Sequence, residues 1–379
     1  MDDLVLAAPT TDKIDWIRTK LNQEFDMTDL GEFKTFLGLE IVRDRTRRAL
    51  HLLQAKYIQK ILGENHMQAC NPANTPADPH IRLERSQPDF EATLTEKRKY
   101  QSAVGSLMYA MLGTRPDIAY AVATVSQYST NPTTTHWTAV KRIFRYLAGT
   151  QNRGLPYTIH GIGSGFTDAD WGGGDDCKSS GGYAFTLNGT AICWTSKKQS
   201  TVALSSREAE YMASTQATKE SLWLQALMID LGARAHLEEV RNIYIDNQGA
   251  IALARNLEYH ARTKHIDIQY HFVHEHLESK RITLTYLPTS EMTADILTKA
   301  LPQPAFTKHN LGLGLIHWSV LMLQYDDSDT QWDHTYATGA THDHSECTSE
   351  GRCYLPPVPS RDSSYTVVED ARSTPEDSP

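Results

Sequence analysis

Apolar and polar positions change their period several times along the chain, and each change marks an element. Residues 13–25 (KIDWIRTKLNQEF) place apolar side chains at three- and four-residue spacing, which predicts a short amphipathic helix. FKTFLGLEIVRDRTRRALHLLQ then alternates apolar and polar residues on both sides of a charged turn, a hairpin pattern, and AKYIQKIL returns to a helical period. Residues 71–95 are rich in Pro, Asn and Asp and read as a linker. From Lys97 to Leu147 the text is helical (YQSAVGSLMYAML, PDIAYAVATVSQYS, HWTAVKRIFRYLAG), with breaks at Pro116 and at Asn131-Pro132.

Near Leu155 the character changes. SGFTDAD, GGYAFTLN and TAICWTS are three strand candidates, and Asn188-Gly189 between the last two predicts a tight hairpin. SSREAEYMASTQATKESLWLQALMIDLG reads as one long helix ended by Gly232. NIYIDNQ follows as a buried strand, then helical AIALARN and KHIDIQYHFVHEHLE, the strand RITLTYL and a helix EMTADILTKAL. Three meandering strands, then alternating helices and strands, describe a mixed sheet covered by helices. From about Ser328 the text is rich in Ser, Thr, Asp and Pro and is expected to be disordered.

Composition changes this picture in two places. The chain has 379 residues and room for two or three domains. The net charge of −9 is uneven: 12 of the 46 acidic residues but 3 of the 37 basic ones lie from Tyr325 onward, leaving 34 of each before it. The body is neutral, which removes an objection to a nucleic-acid partner without arguing for one. The longest apolar stretch, around Leu311–Leu323, is interrupted by His317 and Ser319 and is too short to span a bilayer. No charged segment followed by an apolar run opens the chain, and Cys70, Cys177, Cys193, Cys347 and Cys353 are scattered and odd in number. An intracellular protein, cytoplasmic or nuclear, without a membrane partner is the expectation.

Four carboxylates in the third segment are candidates for one site. Asp168 lies within the first strand, Asp246 ends NIYID, and Asp295 is near the start of the last expected helix. The fourth is Glu208 or Glu210. Ser205-Ser206-Arg207-Glu208 matches a capping box, in which Glu208 reaches back to the cap N–H. Glu210 is then free, and it shares a helical face with Ala213 and Ala217, so it is preferred. Oxygen-only carboxylate sites suit Mg²⁺ or Mn²⁺ rather than zinc.

TDADW, SKKQSTVALSSREAEYMA, YIDNQGAI, RTKHIDIQYHFV and ADILTKALP resemble, in order, the ribonuclease H domain of Ty1/copia-type retrotransposon polyproteins. MDDLVLAA resembles the Tyr-x-Asp-Asp turn of the same elements' reverse transcriptase; LGEFKTFLGLEIVRD resembles the end of its palm, and YQSAVGSLMYAMLGTRPDIAYAV its thumb and connection. The resemblance implies an α/β (α+β) chain: a palm remnant and start of the thumb in residues 1–75, a linker and helical thumb/connection region in 76–152, and a ribonuclease H-like mixed five-stranded sheet with flanking helices in 153–310; residues 311–379 fall outside it and are expected to be an acidic, disordered tail. It implies that Asp168, Glu210, Asp246 and Asp295 hold two Mg²⁺ or Mn²⁺ ions that hydrolyse the RNA strand of an RNA–DNA hybrid. Ser206 and Gln248 are then expected near the minor groove, and Lys197 and Lys198 near phosphates. Asp2 and Asp3 would be the polymerase pair, without the partner strands that complete that site, so no polymerase activity is expected. A full-length retroelement polyprotein is a possible partner.

The His that many ribonucleases H carry before the last Asp is missing from LPTSEMTAD. His265 and His271 are expected to pack or contact the hybrid rather than replace it. His271, His274 and His276 read as a wet helical face, and His342, His344, Cys347 and Cys353 as part of the tail. The alternative to an active nuclease is a non-catalytic fragment that at most binds nucleic acid.

Overall fold

A computed structural model describes residues 4–317 except 7, 9, 30, 32–33, 47, 160–162, 173–175 and 256–263. Asp2, Asp3, His342, His344, Cys347 and Cys353 therefore lie outside the described residues. The chain divides into units Met1–Asp326 and Asp327–Pro379, and all that follows concerns the first.

Helix α1 (Thr11–Glu24) is followed by strands β1 (Thr35–Phe36), β2 (Leu39–Asp44) and β3 (Ala49–Leu53) and by α2 (Ala55–Glu64). The expected amphipathic helix is present, but it buries no residue and leaves Trp16 64% exposed. Next come α3 (Leu94–Gly113), α4 (Ala119–Ser126) and α5 (Thr134–Ala148). Thr93 and Glu96 cap α3 reciprocally, Glu96 N–H to Thr93 Oγ1 at 3.3 Å and Thr93 N–H to Glu96 Oε2 at 2.8 Å. At the Pro116 break, Arg115 is fully buried and forks onto Asp117 (Nε–Oδ1 2.9 Å, Nη2–Oδ2 2.7 Å) while donating to Thr150 O at 3.0 Å. The Pro-rich span before α3 has little regular structure, yet α5 straps it down: Arg142 Nη1 reaches Asp78 at 2.9 Å and His136 Nε2 lies 2.8 Å from Glu84 O.

The remaining elements are β4 (Arg153–Tyr157), β5 (Gly165–Asp170), β6 (Ser180–Leu187), β7 (Thr190–Lys198), α6 (Ser206–Asp230), α7 (Leu237–Arg241), β8 (Asn242–Ile245), α8 (Gln248–Arg255), α9 (Lys264–Glu278), β9 (Thr283–Tyr286), α10 (Gln303–Gly312) and β10 (Ile316–His317). They build two sheets. The first is antiparallel, in order β1-β2-β3-β4-β10. Two of its members depart from expectation. β4 joins the N-terminal hairpin, and β10, in the span expected as a disordered tail, pairs with Arg153 and Gly154. Both are short and pair across long sequence separations, so local alternation cannot announce them.

The second sheet runs β7-β6-β5-β8-β9, antiparallel among β5, β6 and β7 and parallel from β5 through β8 to β9. Asn188 (φ 51°) and Gly189 (φ 79°) form the β6–β7 turn, both in the left-handed region that a two-residue hairpin requires. Ala184 and Ala191 join a core with Leu107, Phe144 and Leu297; Phe185, Ile243 and Ile245 pack with Tyr211, Leu224 and Val273 of α6 and α9. The sheet is thus covered on both faces, which suits the uncharged β6, β8 and β9.

The helix expected over EMTADILTKAL is not formed. Two 3₁₀ turns, Thr289–Glu291 and Thr293–Leu297, stand there, and the α-helix starts only at Gln303. Pro288 and Pro302 flank the segment, and the Thr298 hydroxyl bonds to Asp295 O at 3.2 Å, a local side-chain bond that competes with helix continuation. The turn packs directly on β6 because Gly182 has no side chain: a Cβ there would lie 2.7 Å from Leu297 Cβ and 3.1 Å from Thr298 Cγ2.

Candidate metal centre

Strand β5 pairs with β8 only through Gly165 and Phe166, so beyond Phe166 its edge is open on that side. The carboxylates collect in this gap. Asp168 projects from β5, Asp246 follows the last residue of β8, and Asp295 sits on the 3₁₀ turn pressed against Gly182. One oxygen from each can be chosen so that all lie within 4.8 Å of one another, and among the described residues this is the one group of three or more His, Cys, Asp or Glu able to share an ion. Asp168 is 2% exposed and Asp295 5%.

Glu210 lies beside this trio, in the first turns of α6, and is 5% exposed. Asp168 favours the protonated form of the Glu210 carboxyl, and the nearby Ala169 N–H favours the ionised one. Its Oε2 is buried without a partner. Ser205 caps α6 by accepting from Glu208 N–H at 3.2 Å, as expected, but Glu208 Oε2 reaches the Leu204 N–H (2.7 Å) rather than that of the cap residue. The outcome is the same: Glu208 serves the helix end and Glu210 faces the acids.

Electrostatics follow from burial and like charge. Burial, then the charges of Asp168 and Asp246, push Glu210 up to about 10. Burial and then Asp168 push Asp295 up to about 7, against the pull of Lys299. Burial also raises Asp246, aided by Asp168 and opposed by the Thr289 hydroxyl, which donates to its Oδ2 at 2.7 Å. A metal-free chain must keep protons here or attract cations. The donor set is oxygen-only and partly unsatisfied, which fits Mg²⁺ or Mn²⁺.

Four groups at this centre escaped the sequence reading. Lys299 Nζ lies 3.0 Å from Asp295 Oδ1 and 3.6 Å from Asp168 Oδ2. Burial pulls this ammonium down, but Asp168 and Asp295 outweigh it and hold it above its ordinary value. Thr298 donates its hydroxyl to Asp168, and Thr289 to Asp246. Asp170 shares the Asp168 face of β5, and burial raises its carboxyl, with Asp168 adding and Lys299 opposing. The spacing of Asp295 and Lys299, and of Asp168 and Asp170, was a usable signal; nothing in the pattern marked the threonines.

The expected nucleic-acid contacts are less concentrated. Ser206 and Gln248 open α6 and α8 and are exposed; Arg207 packs within 2.7 Å of where a Gly249 Cβ would be, so the two helix starts touch. Lys197 and Lys198 sit opposite Gly181 and Ser180, two strands from Ala169 and Asp170 and about 10 Å from β5 by strand spacing. Lys197 is exposed, whereas Lys198 is held by Asp176 at 2.6 Å. His274 Nδ1 is 3.0 Å from Ala254 O and its Nε2 is 3.2 Å from Glu278, while His276 is buried against Phe272, so the expected wet face is partly packed. The His265 side chain lies outside the described residues.

The fold and site define a mixed α/β chain with an acidic centre at a strand gap, and sequence comparison narrows it further. The family described as reverse transcriptase (RNA-dependent DNA polymerase) matches residues 1–79. The chain is 44% identical over 313 residues to the retrovirus-related Pol polyprotein from transposon TNT 1-94 of Nicotiana tabacum, covering 81% of this chain and 23% of that protein. Identity to the Pol polyprotein from transposon RE1 of Arabidopsis thaliana is 37% over 323 residues, covering 83% and 21%. A putative transposon Ty5-1 protein of Saccharomyces cerevisiae is 33% identical over 230 residues, covering 58% of this chain and 71% of its own. The chain belongs to the Ty1/copia-type retrotransposon Pol polyproteins and spans 21–23% of the length of the two plant relatives. No helix of the described residues is long and apolar enough to cross a membrane.

Proposed function

We propose that residues 153–310 form a ribonuclease H-like domain that cuts the RNA strand of RNA–DNA hybrids by metal-dependent phosphodiester hydrolysis. The observation that carries this reading is the convergence of Asp168, Asp246 and Asp295 within 4.8 Å in a strand gap, with Glu210 buried beside them. The five-stranded order β7-β6-β5-β8-β9 and the membership in a Pol polyprotein family support it.

Asp168, Glu210, Asp246 and Asp295 would hold two Mg²⁺ or Mn²⁺ ions, whose chemistry is to activate a water and stabilise the leaving oxygen of a phosphodiester. The chain's own contribution is placement. Thr298 and Thr289 donate to Asp168 and Asp246 and so hold these carboxylates in orientation. Glu210 keeps its proton at neutral pH without a cation and yields it when one binds. Ser206 and Gln248, at two adjoining helix starts, are assigned to 2′-hydroxyls and the minor groove, and Lys197 to phosphate. A nucleic-acid substrate and association with the longer polyprotein belong to the same proposal.

The test is incubation of the full chain with a hybrid carrying a labelled RNA strand, with Mg²⁺, Mn²⁺ or chelator, beside Asp246→Asn. Cutting that needs the metal and disappears in the variant is expected. A folded wild-type chain that leaves the RNA intact would turn the reading to a non-catalytic fragment.

A further inference from the structure

Lys299 is the one Lys or Arg among the described residues with a nitrogen within 4 Å of the carboxylates of the acidic centre. Its ammonium bridges Asp295 Oδ1 (3.0 Å), on the 3₁₀ turn, and Asp168 Oδ2 (3.6 Å), on β5, and no other cationic side chain among the described residues ties these two by charge. Asp295 Oδ1 receives no well-directed hydrogen bond, so the contact with Lys299 is its electrostatic partner and not one of several. The lysine backbone is anchored, its N–H donating to Asp295 O at 3.2 Å. The side chain is 33% exposed, against 2% and 7% for the carboxylates it bridges. An anchored backbone with a flexible, solvent-reaching stem lets the charge move without disturbing the turn.

A divalent ion bound by Asp168 and Asp295 sits about 2.0–2.6 Å from the oxygens it takes. Where those are Asp295 Oδ1 and Asp168 Oδ2, which Lys299 now contacts, the ammonium at its present distances would be almost in contact with the ion, a like-charge approach that is strongly unfavourable away from bulk water. Both cations cannot use these oxygens at once.

We propose that Lys299 is a displaceable counter-cation of the carboxylate centre: it bridges Asp168 and Asp295 while the centre is metal-free and swings toward solvent when a divalent ion is taken up. This rests on the metal-centre reading above. Lys299 is in this view a positioning residue. It keeps the two elements in register without metal, and it weakens metal uptake by competing for the same oxygens.

Mn²⁺ binding to the full chain, followed by the electron-spin resonance of the free ion, separates this from a merely structural lysine. Lys299→Met and Lys299→Gln remove the charge and keep most of the stem; both are expected to bind Mn²⁺ about tenfold or more tightly than wild type. Their melting temperatures should fall below wild type in chelator and recover at saturating Mn²⁺. Lys299→Arg keeps the charge and should bind no more tightly than wild type. If the neutral variants bind no more tightly while wild type binds and Asp246→Asn does not, the Lys299 inference is overturned and the metal centre stands. If neither wild type nor the neutral variants bind Mn²⁺, both are overturned.

Discussion

Replacing Glu210 by Gln should stabilise the metal-free chain, and by an amount that depends on pH in a defined way. Burial, Asp168 and Asp246 raise the folded Glu210 to about 10 from an ordinary value of 4.5. Because the folded value is the higher one, the native chain binds a proton that the unfolded chain releases between these two limits. The contribution to stability is fully present below about pH 4.5 and is lost progressively as pH rises toward 10. At pH 7 the loss is about 3 kcal/mol, and at pH 8.5 about 5 kcal/mol. Glutamine is neutral throughout, nearly isosteric with the protonated acid, and can accept from the Ala169 N–H, so it avoids that loss. Urea unfolding in chelator at pH 5, 7 and 8.5 should show the variant gaining on wild type with each step, by about 3 kcal/mol at pH 7 and roughly 5 °C in melting temperature. A difference that does not change with pH, or a variant less stable than wild type at pH 8.5, would refute the placement of Glu210 against the other acids.

Three further outcomes follow from the same geometry. Mg²⁺ binding should release protons near neutral pH, since Asp295 (about 7) and Glu210 (about 10) must give theirs up; calorimetry in buffers of different ionisation heat counts them, and binding should tighten as pH rises. Gly182→Ala should cost about 1–3 kcal/mol, because its methyl would stand 2.7 Å from Leu297 Cβ, and should weaken metal binding by shifting the turn that carries Asp295. Arg115→Met leaves Asp117 buried and without its ion-pair partner and should destabilise the helical region by about 3–5 kcal/mol, read by chemical denaturation.

Much of this architecture was legible because local chemistry announced it. Asn188-Gly189 specified a hairpin, Ser205 specified the start of α6, and alternating or apolar runs specified β5 to β9. Asp168 could be picked out at the end of an apolar approach and Asp246 at the end of an otherwise uncharged run, and one hydrogen-bonded edge that ends at Phe166 brings them side by side. The helix-capping logic separated Glu210 from Glu208 even though Glu208 bonds one residue earlier than expected. What stayed hidden was set by distant partners. β4 and β10 are strands only because β3 and each other are there to pair with. EMTADIL has the composition of a helix, but its contact with Gly182 and its flanking prolines make it a 3₁₀ turn. Thr289 and Thr298 have meaning only once the turn places their hydroxyls on Asp246 and Asp168.

The central claim is tested most directly by asking which strand is cut. An RNA–DNA hybrid with distinct labels on its two strands, alongside duplex DNA and duplex RNA of the same sequence, should be incubated with the full chain and Mn²⁺. The account predicts cleavage of the RNA strand of the hybrid alone, leaving 3′-hydroxyl and 5′-phosphate ends. Cutting of the DNA strand, equal cutting of all three duplexes, or no cutting by a folded, metal-loaded chain would contradict it.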